Sequence, residues 1–301
     1  MTRRSRLPDP ETYVDESFDD LQTENANLRA ELRKALALPP AEFRKAPAVY
    51  KRRSGTFRKH FVIPDTQVRP GVPVEHLTWA GRYIAEKCEP GDVVIHLGDH
   101  WDMAALSSYD KGKRSFEGRR YKLDVEAGNA ALELLSAELD GLKVERHLLR
   151  GNHEDRITRV IEAEPWLEGV VTMDDLRSPG WHVHPFLEVL DLDGVLYSHY
   201  FYTPTTGRPR SGMAANILRH VGRSFVMGHR QVHDVAMMEL PDGTRRRGVV
   251  SGAFYQHREA YLGPQSSHWR GMLMLTEVQG GDFDIVELSL DFLRRRYGAK
   301  R

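Results

Sequence analysis

Five short polar runs, each directly after an apolar stretch of strand character, constrain the fold of this chain more than any other feature. They are Asp65-Thr66-Gln67 after residues 60–64, Gly98-Asp99-His100-Trp101-Asp102 after 93–97, and Gly151-Asn152-His153-Glu154 after 144–149. Ser198-His199 follows residues 195–197, and Gly228-His229-Arg230-Gln231 follows 224–227. Loops at the carboxyl ends of strands are where α/β sheets gather ligands, so five in succession predict one convergent site.

Between the runs, residues 74–87, 121–139, 155–163 and 212–221 carry apolar residues at helical spacing. Strand and helix therefore alternate, which is an α/β signature. After His199 the texture turns toward strands. Residues 235–240 and 247–254 flank Pro241-Asp242-Gly243, and residues 272–278 and 283–290 flank Gly280-Gly281-Asp282. These read as hairpins and predict a largely antiparallel sheet in the second half.

With 301 residues and 40% hydrophobic content, the chain can bury one substantial core and carry a small appendage. Three segments follow: an acidic, helical extension over 1–40, a basic linker over 41–59 and a main domain over 60–301. Within 17–37, Leu21, Leu28, Leu32 and Ala35 share a seam with Asn25. Such a short coiled-coil pattern would either join two copies as a homodimer or pack on its own domain. No apolar run approaches 18 residues and the start lacks an apolar leader, so a cytoplasmic protein without membrane contact is expected. The single cysteine, Cys88, excludes an internal disulfide and reads as a structural thiol. Basic and acidic residues balance at 43 each, which argues against a global cationic field. The basic runs at 44–59 and 294–301 are solvated faces or local phosphate contacts.

Together the five runs supply Asp65, Asp99, Asn152, His199 and His229 as oxygen and imidazole donors, with Gln67 and Gln231 as amide oxygens. A thiolate-free N/O set suits Mn²⁺, Fe, Zn²⁺ or Mg²⁺. A carboxylate can bridge two cations, and paired cations can clamp a phosphoryl group. Asp99 is the candidate bridge.

At this point the chain resembles the calcineurin-like metallophosphoesterase superfamily, in its phage and bacterial type. The superfamily's ordered motifs are Asp-x-His, Gly-Asp-x-x-Asp, Gly-Asn-His-Asp/Glu, a lone His and Gly-His-x-His, and the likeness spans roughly residues 61–231. It implies a four-layer αββα sandwich of two mixed sheets flanked by helices. It also implies two divalent cations, with Mn²⁺ foremost. Carried over, Asp65, Gln67, Asp99 and Gln231 would line the first cation, and Asp99, Asn152, His199 and His229 the second. His153 would stand at the leaving group, oriented by Asp102. The implied activity is hydrolysis of phosphate esters by a metal-bound hydroxide.

Two departures bear on that likeness. Gln67 and Gln231 stand where the superfamily has histidines, which weakens the first site and shifts it toward oxygen-preferring ions. His233 is an alternative donor if the chain bends. Met103 replaces the Arg that follows Gly-Asp-x-x-Asp in the protein phosphatase branch, so a phosphodiester, in a nucleotide or nucleic acid, is expected over a phosphoprotein. Arg156 would hold a substrate phosphate or pair with a carboxylate on its helix, and His100 would approach the substrate or support the ligands from behind. The basic, aromatic loop over 107–122 would rim a nuclease-like cleft or be a solvated loop. The competing reading is a non-catalytic protein that binds phosphate or nucleic acid around one cation.

Overall fold

The structure, a computed structural model, describes residues 57–109, 111–258 and 268–298. The expected N-terminal helix with its seam, and most of the expected linker, lie outside the described residues. No helix among the described residues is long and apolar enough to cross a membrane.

The strands are β1 (Arg58–Ile63), β2 (Val93–His96), β3 (Glu145–Leu149), β4 (His182–His184), β5 (Leu190–Leu192), β6 (Val195–Ser198), β7 (Phe225–Met227), β8 (His233–Glu239), β9 (Arg245–Ser251), β10 (Gly271–Gln279) and β11 (Asp282–Ser289). The α-helices are α1 (Glu75–Lys87), α2 (Tyr121–Leu139), α3 (Arg156–Ala163), α4 (Ala214–Val221) and α5 (Leu290–Tyr297). A six-stranded sheet runs in the order β11-β10-β1-β2-β3-β4, and a five-stranded one in the order β5-β6-β7-β9-β8.

Both faces of the central strands are covered, so they are apolar throughout rather than alternating with polar residues. On β1, Phe61 and Ile63 pack under α1 and α2 with Leu77, Ile84, Leu132 and Leu135. Val62 points the other way, into the layer between the sheets with Ile95, Tyr197, Val226 and Val249. On the far side of the second sheet, Phe225 and Met227 meet Ile217 and Leu218 of α4. The result is a sandwich of two mixed sheets between helices, as expected. One polar pin crosses the middle layer: the Tyr197 hydroxyl donates to His60 Nδ1 at 2.6 Å, and His60 Nε2 donates to Asp193 at 3.0 Å.

The second half departs from the expected antiparallel sheet. Helix α4 lies between β6 and β7 in the chain, and such a crossover returns the chain in the same direction. Accordingly β6, β7 and β9 are parallel, with antiparallel partners only at the flanks. The β10–β11 hairpin joins the first sheet, where β10 pairs with β1. Arg58 and Lys59, placed in the linker by composition, instead open β1. Arg58 is held there by Asp193 at 2.7 Å and Glu145 at 3.3 Å.

Candidate metal centre

The loops after β1, β2, β3, β6 and β7 meet at one edge of the sandwich. Donor atoms of Asp99, His199 and His229 all lie within 4.8 Å of one another, the one such group found among the described residues. Asp99 also accepts the backbone N–H of His153 on Oδ1 at 2.9 Å. Asp65 is fully buried alongside; its Oδ1 accepts the His229 N–H at 3.0 Å, while its Oδ2 has no hydrogen-bond partner.

The backbone is bent hard to achieve this. Gln67, Asp99, Met103, His229 and Gln231 all have positive φ, between 42° and 69°, a conformation that side chains other than glycine's avoid. The glycines of the third and fifth runs have a steric role. A Cβ on Gly151 would stand 2.1 Å from Asp99 Oδ1, and one on Gly228 would stand 2.4 Å from Asp65 Oδ1. Neither carboxylate could lie where it does beside any larger residue.

Glu154 ties the second run to the third. Its buried carboxylate accepts the backbone N–H groups of Asp99 at 3.1 Å, His100 at 2.7 Å, Trp101 at 3.0 Å and Gly151 at 2.7 Å. Behind it runs a chain of neutral groups. Gly98 N–H donates to His96 Nδ1, His96 Nε2 to Thr66 Oγ1, Thr66 to His100 Nδ1, and His100 Nε2 to Gly128 O. Burial pushes the His100 imidazole down to about 4, in keeping with a ring that donates and accepts without charge. His100, expected near the substrate, is therefore corrected to a core residue. It is fully buried and both of its nitrogens are committed.

His199 Nδ1 donates to Leu97 O at 2.9 Å, which fixes the tautomer. Its Nε2 then faces Asn152 Oδ1 at 2.9 Å and Asp99 Oδ1 at 3.4 Å. A neutral ring would bring three lone pairs together there. Without a cation, the arrangement is relieved by a proton: burial alone would lower the His199 pKa, but Asp99 raises it to about 9. Burial likewise opposes charge on Asp99, yet His153, His199 and His229 hold its carboxyl well below the usual range. Burial, aided by Asp99 and opposed by His199, pushes Asp65 up to about 7, and burial beside His199 lowers His229 to about 4. A divalent cation fits this donor set: Asp99, His199 and His229 could hold it, and its charge would take the place of the proton, with the unpartnered Oδ2 of Asp65 buried nearby.

His153 Nδ1 lies 2.9 Å from Asp102 Oδ1, and Arg69 donates to Asp102 Oδ2 at 2.9 Å. Burial works against the Asp102 charge, but His153 and Arg69 bring its carboxyl down to about 2. His153 Nε2 is left facing Asp99 Oδ2 at 3.7 Å. Arg156 turns to the second run rather than to a carboxylate on its own helix: its Nη1 donates to the carbonyls of Asp102 at 2.6 Å and Met103 at 3.3 Å, with the Asp102 carboxylate 3.7 Å away.

The two amides of the expected first site differ in what they contact. Gln67 is buried beside Asp99, its backbone N–H donating to Asp99 O at 2.8 Å. Gln231 Oε1 already accepts the Tyr255 hydroxyl at 2.9 Å. His233 lies on β8 with Nε2 on Glu287 at 3.0 Å and is no substitute ligand. Glu154, Arg69 and Tyr255 make contacts within the candidate site that their sequence positions did not announce. Of the three, only Glu154 sits inside one of the five runs. Comparison with protein-family models and with curated proteins finds no match to this chain.

Proposed function

We propose that the chain is a metal-dependent phosphoesterase of the calcineurin-like kind, acting on phosphodiesters of the nucleotide or nucleic-acid class. The observation that carries the reading is the meeting of Asp99, His199 and His229 within 4.8 Å, beside an unpartnered Asp65 oxygen. Asp99, Asn152, His199 and His229 would hold one cation, and Asp65 and Asp99, with Gln67 and Gln231 as weaker donors, would hold the other. Divalent cations in such a site neutralise phosphoryl oxygens and make bound water nucleophilic at neutral pH.

The residues do the rest. His199 is oriented by Leu97 O, so its Nε2 is a donor of electrons rather than of a proton. Asp102 lies against the His153 ring at Nδ1 as an ion-pair partner, and Nε2, on the opposite side of the ring, is the nitrogen that would hand a proton to a departing alkoxide. Arg69 keeps Asp102 ionised and so keeps His153 in that orientation. Glu154 holds Asp99 and the start of the third run in register.

The test is hydrolysis of bis(p-nitrophenyl) phosphate and p-nitrophenyl phosphate by chelator-treated protein titrated with Mn²⁺, beside Asp99→Ala and His229→Ala. Diester turnover that needs Mn²⁺ and disappears in both variants is the expected result. A second reading, one structural cation and no turnover, is favoured by a single observation: Gln231 Oε1 is taken by Tyr255. Stoichiometric binding of one Mn²⁺ per folded chain without hydrolysis of either ester would select it.

A further inference from the structure

Beside the metal centre lies a hollow of ≈ 490 Å³, lined by Arg150, Asp155, Thr158, Met173, Val183, Pro185 and Phe186. Its volume is within the usual range for small-molecule sites, about 300–1,000 Å³. The walls come from four segments: the end of β3, the edge strand β4 and the turn after it, the start of α3, and the 3₁₀ turn Met173–Asp175. Phe186 also backs onto the metal centre, its ring 6.4 Å from that of His199 and 5.5 Å from that of Tyr200.

The chemistry of the lining is uneven. Met173, Val183, Pro185 and Phe186 give an apolar wall, and Val183 and Phe186 remain partly open to solvent. Against them stands Arg150, half-buried at the end of β3. Its side chain makes one long hydrogen bond, Nη2 to Met173 O at 3.5 Å, and no carboxylate lies within ion-pairing distance among the described residues. Burial pulls its guanidinium below the ordinary value, an effect that Glu154 and Asp174 only partly offset. Asp155, the one acid in the lining, is engaged by Arg159 Nε at 3.1 Å. A half-buried guanidinium with most of its N–H groups unused is a receptor for an oxyanion, which it can grip with two parallel hydrogen bonds.

We propose that this hollow binds an anionic group carried on an apolar or aromatic body, with the anion on Arg150 and the body against Val183, Pro185 and Phe186. The site is separate from the cation ligands and does not depend on the phosphoesterase reading. Its test is calorimetric titration of the full-length protein with phenylphosphonate, an inert aryl anion, in the presence and absence of EDTA. Inorganic phosphate and benzyl alcohol serve as the two halves of the ligand.

The expected result is saturable phenylphosphonate binding that EDTA leaves unchanged, with each half binding at least about tenfold more weakly. Arg150→Met should weaken phenylphosphonate by about tenfold or more and leave benzyl alcohol unaffected. Val183→Trp, on an exposed edge position where folding is least at risk, should fill the hollow and weaken both. Loss of binding in EDTA would put the ligand on the metal centre and overturn the proposal. Wild-type affinity in both variants, confirmed folded by circular dichroism, would overturn it equally.

Discussion

Glu154→Gln is the sharpest probe of how the candidate metal centre is built. The side chain keeps its size, but one carboxylate oxygen becomes an NH₂ facing backbone N–H groups. Each oxygen of Glu154 now accepts two such groups, at distances from 2.7 to 3.1 Å. Two hydrogen bonds to a charged acceptor are lost whichever way the amide turns, at about 1.5–3 kcal/mol each. Removing a buried charge that stands near Asp99 returns part of that. The net destabilisation should be about 2–4 kcal/mol, or about 5–15 °C in melting temperature for a domain of this size. Thermal melts followed by circular dichroism, with and without Mn²⁺, measure it. The variant should also bind Mn²⁺ more weakly, because the Asp99 N–H and the Gly151 N–H lose their common anchor. A shift under about 2 °C would mean that the carboxyl already carries a proton and that the anchoring argument is wrong.

Three further perturbations separate the parts of the argument. Gly128→Ala on α2 would put a Cβ 1.9 Å from Trp101 Cδ1, and the overpacking should cost about 1–3 kcal/mol, read as a lower urea midpoint. Burial holds His76 and His147 at about 3, below the unfolded value of about 6.5. The unfolded chain takes up those protons first, so stability is intact above about pH 6.5 and falls as pH drops toward 3, by up to about 1.4 kcal/mol per unit for each ring. Urea midpoints that do not fall between pH 7 and pH 5, or a His76→Phe variant with an undiminished slope, would contradict this. Mn²⁺ at a hundred times its dissociation constant should stabilise the wild type by about 2.7 kcal/mol, and Asp99→Asn should abolish the gain; an undiminished gain in the variant would remove Asp99 from the ligand set.

Much of this architecture could be read from the residues. The helix over 121–139 is found at those bounds because nineteen residues of clear period leave little room for error. Both hairpins are where Pro-Asp-Gly and Gly-Gly-Asp placed them. Which sheet a hairpin joins is another matter. The β10–β11 pair lies beside β1 because of packing between distant segments, and no local pattern encodes a partner roughly 200 residues away. The same limit applies to the site. Asp65, Asp99, His199 and His229 stood out as ligand types after strands, whereas the sequence left His100 between approaching the substrate and supporting the ligands from behind. His100 differs only in that its ring turns inward to Thr66 and Gly128, and direction is a property of the folded loop. Arg156 was ambiguous for the same reason.

The position of β1 between β2 and β10 has a consequence for biosynthesis. One edge of β1 is satisfied early, by β2, but the other waits for residues near Gly271. At ordinary synthesis rates that wait is about 10–40 s. Throughout it, the nascent chain presents an apolar strand with a row of unpaired N–H and C=O groups, the kind of template that recruits other chains. The segment after β1 waits as well, since Asp65 O accepts the N–H of Phe254. Chains cut short before β10 should therefore be recovered as aggregates, because β1 keeps one edge unpaired in them.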